Sequence, residues 1–196
     1  MSSFYSIEEL NDLNFKSLGT NVLISKKTSI YGASNMSIGN NVRIDDFCIL
    51  SGNISIGNYV HISAFCALYG KFGIVISDYC GCSARCTLYS ATDDFSGEFM
   101  ISPLVSEKYT NVIGGMIRLE KYSQIGANSV IMPNVIIGEG VATGAFSFIN
   151  KSLDPWGTYV GIPVTRIKDR SKNILKLSTE FEGELNDQIN GRHNNL

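Results

Sequence analysis

The chain has 196 residues, enough for one domain with a short appendage; 44% hydrophobic content and a formal net charge of −2 describe a soluble globular protein. No basic excess or polybasic run points to nucleic acid or anionic lipid, and no apolar stretch reaches the length of a membrane span. The opening MSSFYSIEEL lacks the basic and apolar regions of a secretion signal, so a cytoplasmic setting with five reduced cysteines is expected.

In chain order the first predicted element is a short helix within residues 1–17. Ser6 stands as N-cap with Glu9 three residues on, the pattern of a capping box. From Ile38 the chain repeats every six residues: Ile44, Leu50, Ile56, Ile62 and Leu68 are all aliphatic. Two extra residues intervene before Ile76, Cys82 and Leu88. After a longer interruption the repeat resumes at Leu119, Ile125, Ile131, Ile137, Thr143 and Ile149. A second small or apolar series falls four places after each of these: Val42, Cys48, Ile54, Val60, Cys66, Phe72, Cys80, Cys86, Ser129, Val135 and Val141.

A period of six fits neither a helix at 3.6 nor a two-sided strand at 2. It fits a coil of three short strands joined by tight corners, with two inward residues per hexad stacking on the coils above and below. The nineteen glycines are first suspected of making the corners. Residues 93–116 break the pattern; a loop of that length holding both aromatic and aliphatic residues is expected to be ordered and functional. Beyond the repeat, Ile174, Leu177, Phe181 and Leu185 share one helical face, predicting an amphipathic helix that packs on the coil or on a neighbouring subunit. The final NGRHNNL is expected to fray.

The hexads resemble those of the hexapeptide-repeat acyltransferases over roughly residues 18–170. The resemblance implies an all-β fold: a left-handed parallel β-helix over 18–170 with the loop 93–116 projecting from it. A helical segment precedes it in 1–17, and a C-terminal helix and tail follow in 171–196. It also implies a homotrimer that binds acetyl-coenzyme A in the groove between subunits. The segments matching the family's donor site are IGANSV, TGAFSF and GIPVTRIKDR. They supply Gly126, Ala127, Gly144 and Ala145, small enough for a thin ligand to reach the backbone. The family's exit lysine is Thr165 here, so Arg166, Lys168 or Arg170 is expected to meet the phosphates. Trp156 is expected to cover the end of the coil more readily than to stack on a ligand.

On the acceptor side, the sugar-acetyltransferase branch ends its first set of hexads with a Thr-His pair whose histidine is the base. The matching residues here are Thr92-Asp93. An ordinary aspartate is a poorer base than imidazole near neutral pH. A sugar amine, partly neutral in a cytoplasm, needs positioning more than deprotonation. Asp93 or Asp94 can hold such an amine or take its surplus proton; the bland alternative is that both carboxylates cap loop amides. His61 is the other catalytic candidate, set against a surface-corner role; His193 lies in the tail with no role expected. The five cysteines read as small core hydrophobes, because their spacing follows the repeat and zinc sites prefer Cys-x₂₋₄-Cys spacings with histidines, of which this chain has only two.

The preferred function is N-acetylation of a nucleotide-linked amino sugar for O-antigen or capsule, with no metal. O-acetylation of a sugar hydroxyl with His61 as base is the alternative in the same class. A catalytically silent β-helix scaffold is the alternative in another.

Overall fold

The computed structural model describes residues 3–193, and side chains as far as residue 187. Helix α1 (Ile7–Asp12) opens with the capping box: the Glu9 amide donates to Ser6 Oγ at 3.2 Å and the Ser6 amide donates to Glu9 Oε2 at 2.7 Å. Leu10 is buried and anchors α1 to the coil.

The coil is a three-sided prism of parallel strands. Its first side stacks Ser17–Leu18, Met36–Ile38, the end of Ile49–Ile56, the end of Ala67–Ile76, Ile117–Leu119 and Ile136–Ile137. The second stacks Leu23–Ile24, Arg43–Ile44, His61–Ile62, Gly81–Cys82, Gln124–Ile125, Ala142–Thr143 and Gly157–Val160. The third stacks Ser29–Tyr31, the start of Ile49–Ile56, the start of Ala67–Ile76, Thr87–Tyr89, Val130–Ile131 and Phe148–Ile149. Register is in phase from coil to coil, with Ile44 on Ile62, Ile62 on Cys82 and Cys82 on Ile125. Every residue of the main hexad series is buried, Thr143 and Cys82 included. The repeat also begins earlier than Ile38: Leu18, Ile24 and Ile30 occupy the same inward slots, hidden by a two-residue insertion in which residues 33–35 form a 3₁₀ turn.

In the second series the structure corrects one residue. Phe72 is exposed, and Ile74 takes its inward place opposite Ile54. The two extra residues and Gly73, at φ +101°, turn Phe72 outward, where its ring lies against the Cα of Gly114. All five cysteines are buried as free thiols, as packing required. Cys48, Cys66 and Cys86 each donate S–H to a carbonyl of the following coil, at 3.2, 3.1 and 3.2 Å.

Most corners are not made by glycine; Gly73 at φ +101° and Gly140 at φ +65°, directly before Ile74 and Val141, are exceptions. Twelve non-glycine residues there sit in the left-handed region, each directly before a second-series position: Asn21, Asn41, Tyr59, Tyr79, Tyr122 and Trp156 on one edge, Phe47, Phe65, Arg85, Asn128 and Phe146 on the next, and Asn134 on the third. Such residues are strained by ~1 kcal/mol or more, and stacking between coils offsets it. Tyr59, Tyr79 and Tyr122 form a ladder at 5.0 and 5.4 Å, continued by Trp156 at 6.5 Å. Glycine serves a different need. A Cβ on Gly39 would lie 2.6 Å from the Gly57 carbonyl oxygen, and one on Gly126 2.4 Å from the Gly144 carbonyl carbon. Glycine follows the inward residue because corners of successive coils touch there.

Helix α2 (Asn173–His193) lies along the tyrosine ladder. Phe181 meets Tyr59 edge-on at 5.4 Å, Tyr79 donates to Glu182 at 2.7 Å, and Tyr122 pairs with Ser178 at 3.0 Å. The helix therefore packs on its own coil through polar as well as apolar groups, while Leu177 stays exposed. The helical backbone reaches His193; residues 194–196 and the His193 side chain lie outside the described residues.

Candidate functional site

Between Tyr89 and Ile117 the chain leaves the prism. Strands Ala91–Asp93 and Val112–Gly114 pair antiparallel, Asp93 opposite Val112, and carry the long loop outward. The loop is ordered by a Met100–Thr110 bridge and a 3₁₀ turn over Glu107–Tyr109. Of its several exposed apolar side chains, Phe95 at 77% and Leu104 at 95% are the most open.

The two adjacent acids part company. Asp94 turns into the loop, where its carboxylate accepts from the Ser96 amide and from Asn111 Nδ2, both at 2.8 Å. These bonds favour the ionised form and hold its carboxyl below the usual range. Asp94 thus clamps the loop. Asp93 instead lines a cleft of 670 Å³ between the hairpin, the loop and the third side of the coil. Its neighbours include Tyr69, Lys71, Thr92, Ser102, Glu107 and Thr110. Tyr69 is fixed by stacking on Tyr89 at 5.3 Å. Lys71 and Glu107 are cleft residues the sequence reading missed; Lys71 lies in the two-residue insertion, which marks a local departure from the coil.

His61 is elsewhere. It projects from the second side, exposed, with Nε2 2.8 Å from Asp45 Oδ2. Burial pushes the Asp45 carboxyl up, but hydrogen bonds from Arg43 at 2.7 Å and from His61 outweigh it, leaving a net lowering. His61 is not among the residues that line the Asp93 cleft.

The proposed donor segments do converge. Gly126-Ala127 and Gly144-Ala145 stack on one edge of the prism, between the second and third sides. The Gly126 amide donates to Thr143 Oγ1 at 3.0 Å and the Gly144 amide to the Tyr159 carbonyl at 2.8 Å, so these two are internally committed. The amides of Ala127 and Ala145 find no acceptor among the described residues, and their corner is open to a ligand. Beside them Asn128, Phe146, Phe148 and Ile162 line a 210 Å³ hollow. Trp156 ends the tyrosine ladder on the opposite edge with Lys172 over its ring at 5.5 Å, which is the covering role.

The three cations differ. Arg170 Nη1 donates to the carbonyls of Tyr122, Gly140 and Val141 at 2.8, 3.1 and 3.3 Å, and burial lowers its pKa. It caps coil carbonyls. Arg166 pairs with Asp169 at 2.8 Å and lies over the Tyr159 ring. Lys168, on the exposed strand Thr165–Asp169, has no ion-pair partner among the described residues. No group of three or more histidine, cysteine or acidic side chains suited to a metal occurs among the described residues, and no described helix is long and apolar enough to cross a membrane.

A family model described as bacterial transferase hexapeptide (six repeats) matches residues 35–70 and 116–151. A dTDP-4-amino-4,6-dideoxy-D-glucose acyltransferase from Escherichia coli is 43% identical over 177 residues, covering 89% of this chain and 92% of that one. AntD, an N-acyltransferase from Bacillus cereus solved with dTDP and 3-hydroxybutyryl-CoA, is 53% identical with a TM-score of 0.93, covering 95% of this chain and 100% of that one. A hexapeptide-repeat acetyltransferase from Vibrio cholerae shares the fold alone, at 17% identity and a TM-score of 0.60 over 84% and 81% of the two chains. With its stacked hexads, its projecting loop and these relatives, the chain belongs to the hexapeptide-repeat transferases of the left-handed β-helix fold and is an acyl-CoA-dependent acyltransferase.

Proposed function

We propose that this protein N-acylates a dTDP-linked 4-amino-4,6-dideoxy sugar, as a cytoplasmic homotrimer that supplies surface-polysaccharide synthesis. The observation that carries the reading is the split between the two acids. Asp93 is presented by a hairpin into a cleft, while Asp94 is tied into the loop. An amine acceptor requires one carboxylate that can hold the amine and take its proton. The Escherichia coli relative, an acyltransferase of a dTDP amino sugar, and the Bacillus cereus relative, solved with dTDP, support the acceptor class. Acetyl-CoA is the donor expected from the sequence, and the 3-hydroxybutyryl-CoA of the Bacillus relative widens the class to short acyl thioesters.

In the reaction the neutral amine attacks the thioester carbonyl, and a backbone amide of the coil edge meets the oxyanion. Asp93 takes the surplus ammonium proton. The C–S bond then breaks, the amide forms, and the proton passes to the departing thiolate. Lys168 meets the donor phosphates, with Ala127 and Ala145 offering amides to the pantetheine arm. The exposed Phe95 and Leu104 of the loop support a trimer in which the loop packs on a neighbouring protomer.

The test is product mass. With acetyl-CoA or 3-hydroxybutyryl-CoA and dTDP-4-amino-4,6-dideoxyglucose, one acyl group is added per thiol released. The counterpart with a 4-hydroxyl should remain unacylated. Acylation of the hydroxyl compound at a comparable rate would favour O-transfer through His61 instead. Absence of thiol release with every acceptor would favour a silent scaffold.

A further inference from the structure

The prism edge that carries Gly126-Ala127 and Gly144-Ala145 does not end there. Ala84 and Ala64 continue it toward the N-terminus, each bonded to the next coil: the Asn128 amide donates to the Ala84 carbonyl and the Arg85 amide to the Ala64 carbonyl, both at 3.0 Å. Along this edge the left-handed corner residues are Phe47, Phe65, Arg85, Asn128 and Phe146. Phe47 and Phe65 stack at 5.0 Å, Arg85 lies over Phe65 at 5.0 Å and Lys27 over Phe47 at 5.1 Å. The rings are about half exposed, Phe47 at 50% and Phe65 at 48%. The tyrosine ladder is covered by α2, which does not reach this column. Beside it opens a 460 Å³ cavity lined by Phe4, Arg43, Asp45, Asp46, Phe47, Ala64 and Phe65.

We infer that this column is the seat of the nucleoside diphosphate end of the amino-sugar substrate, a siting that rests on the function proposed above. The order of the coils supplies the argument. The donor segments occupy the two coils after the Asp93 hairpin. The hairpin leaves the prism from the coil that holds Ser83, Ala84 and Arg85. The hairpin leaves at the edge between the third and first sides, so in the proposed trimer it is a neighbouring protomer's Asp93 loop that meets this edge, and an acceptor reaching the thioester there extends the opposite way, over the coils of Phe65 and Phe47. Two coil spacings are about 10 Å, the scale of a diphosphate with its sugar.

The chemistry fits. The cations are Lys27, Arg43 and Arg85. Asp46 is paired with Lys27 at 2.9 Å, and Asp45 with Arg43 and His61. Arg85 has no ion pair among the described residues and is the guanidinium open to a phosphate. Because the ring faces are taken by one another and by the cations, the base meets the ring edges, whose positive rim suits the carbonyl-bearing face of a pyrimidine.

Binding of dTDP alone, and separately of coenzyme A, to the full-length protein tests the siting by calorimetry. Phe65→Asn and Phe47→Asn are the variants of choice: asparagine already occupies equivalent left-handed corners at Asn41 and Asn128, so the ring is removed without new backbone strain. Each is expected to weaken dTDP about tenfold, the upper end of an edge-on aromatic contact, as is Arg85→Gln. Coenzyme A affinity and thermal stability should be unchanged. A wild-type protein that binds dTDP, with all three variants within twofold of it, overturns the siting and leaves the function standing. Loss of dTDP in Lys71→Gln alone would move the nucleotide to the loop cleft. A wild-type protein that binds no dTDP overturns the nucleotide-sugar reading and this siting together.

Discussion

Replacing Gly126 by alanine places a methyl group 2.4 Å from the Gly144 carbonyl carbon, 2.5 Å from its oxygen and 2.6 Å from the Ala145 nitrogen. All three are backbone atoms, and ladder bonds on either side hold the two coils: the Gln124 amide to Val141 at 2.8 Å and the Val130 amide to Ser147 at 2.9 Å. Relief by about 1 Å must therefore open the stack. Overpacking costs ~1–3 kcal/mol, and loss of the 3.0 Å bond from the Gly126 amide to Thr143 adds to it, so about 3 kcal/mol is expected. For a chain of this size that lowers the melting temperature by about 6–12 °C. Gly144→Ala is the matched control. Its nearest neighbour is Val160 Cγ1 at 2.8 Å, the end of a side chain, and it should cost below ~1 kcal/mol. Thermal melts of both variants at one fixed protein concentration make the comparison. Equal melting temperatures would refute the claim that glycine is placed for coil stacking.

Arg170→Ala, which strips three coil carbonyls of their donor, should lower stability by about 2–3 kcal/mol and leave coenzyme A affinity unchanged. Lys168→Ala should do the reverse, as read by calorimetry with coenzyme A. For Cys66 the Cys48 thiol pulls the pKa down, but the Cys86 contact and burial outweigh it and push it up to about 12. A thiol reagent at pH 8 should therefore label the native protein only on unfolding, and prompt native labelling would contradict the buried ladder. The Asp45 carboxyl lies below its usual 3.8, so its contribution is present above that value and fades as pH falls through the folded pKa. The stability gap between wild type and Asp45→Asn should close as pH falls below the ordinary carboxylate range, and a gap unchanged by acid would sink the assignment.

The architecture was legible because one inward residue per side leaves a period that no helix or flat sheet produces. Ile44, Ile62 and Ile125 stack as that period requires. Two features were harder to read. Insertions shift the phase without breaking the fold, which hid Leu18, Ile24 and Ile30 and made Phe72 look inward. Corner geometry depends on backbone angles, so glycine drew attention that belonged to the residues one place before the second series. Phe47, Phe65 and Phe146 were the available signal: large apolar residues at outward corners where the same coil elsewhere uses asparagine. In the site, the Asp93-Asp94 pair could be marked from sequence, but only the strand pairing shows which carboxylate faces the cleft. Arg170 and Lys168 are alike as letters and differ only in what surrounds them.

In the proposed reaction Asp93 is the group that receives the amine proton. The direct measurement is kcat for transfer to the dTDP amino sugar at saturating acyl-CoA, wild type against Asp93→Asn, with coenzyme A affinity and melting temperature recorded alongside. A fall in kcat of tenfold or more, with affinity and melting temperature unchanged, is the predicted result. Wild-type turnover in Asp93→Asn would contradict it.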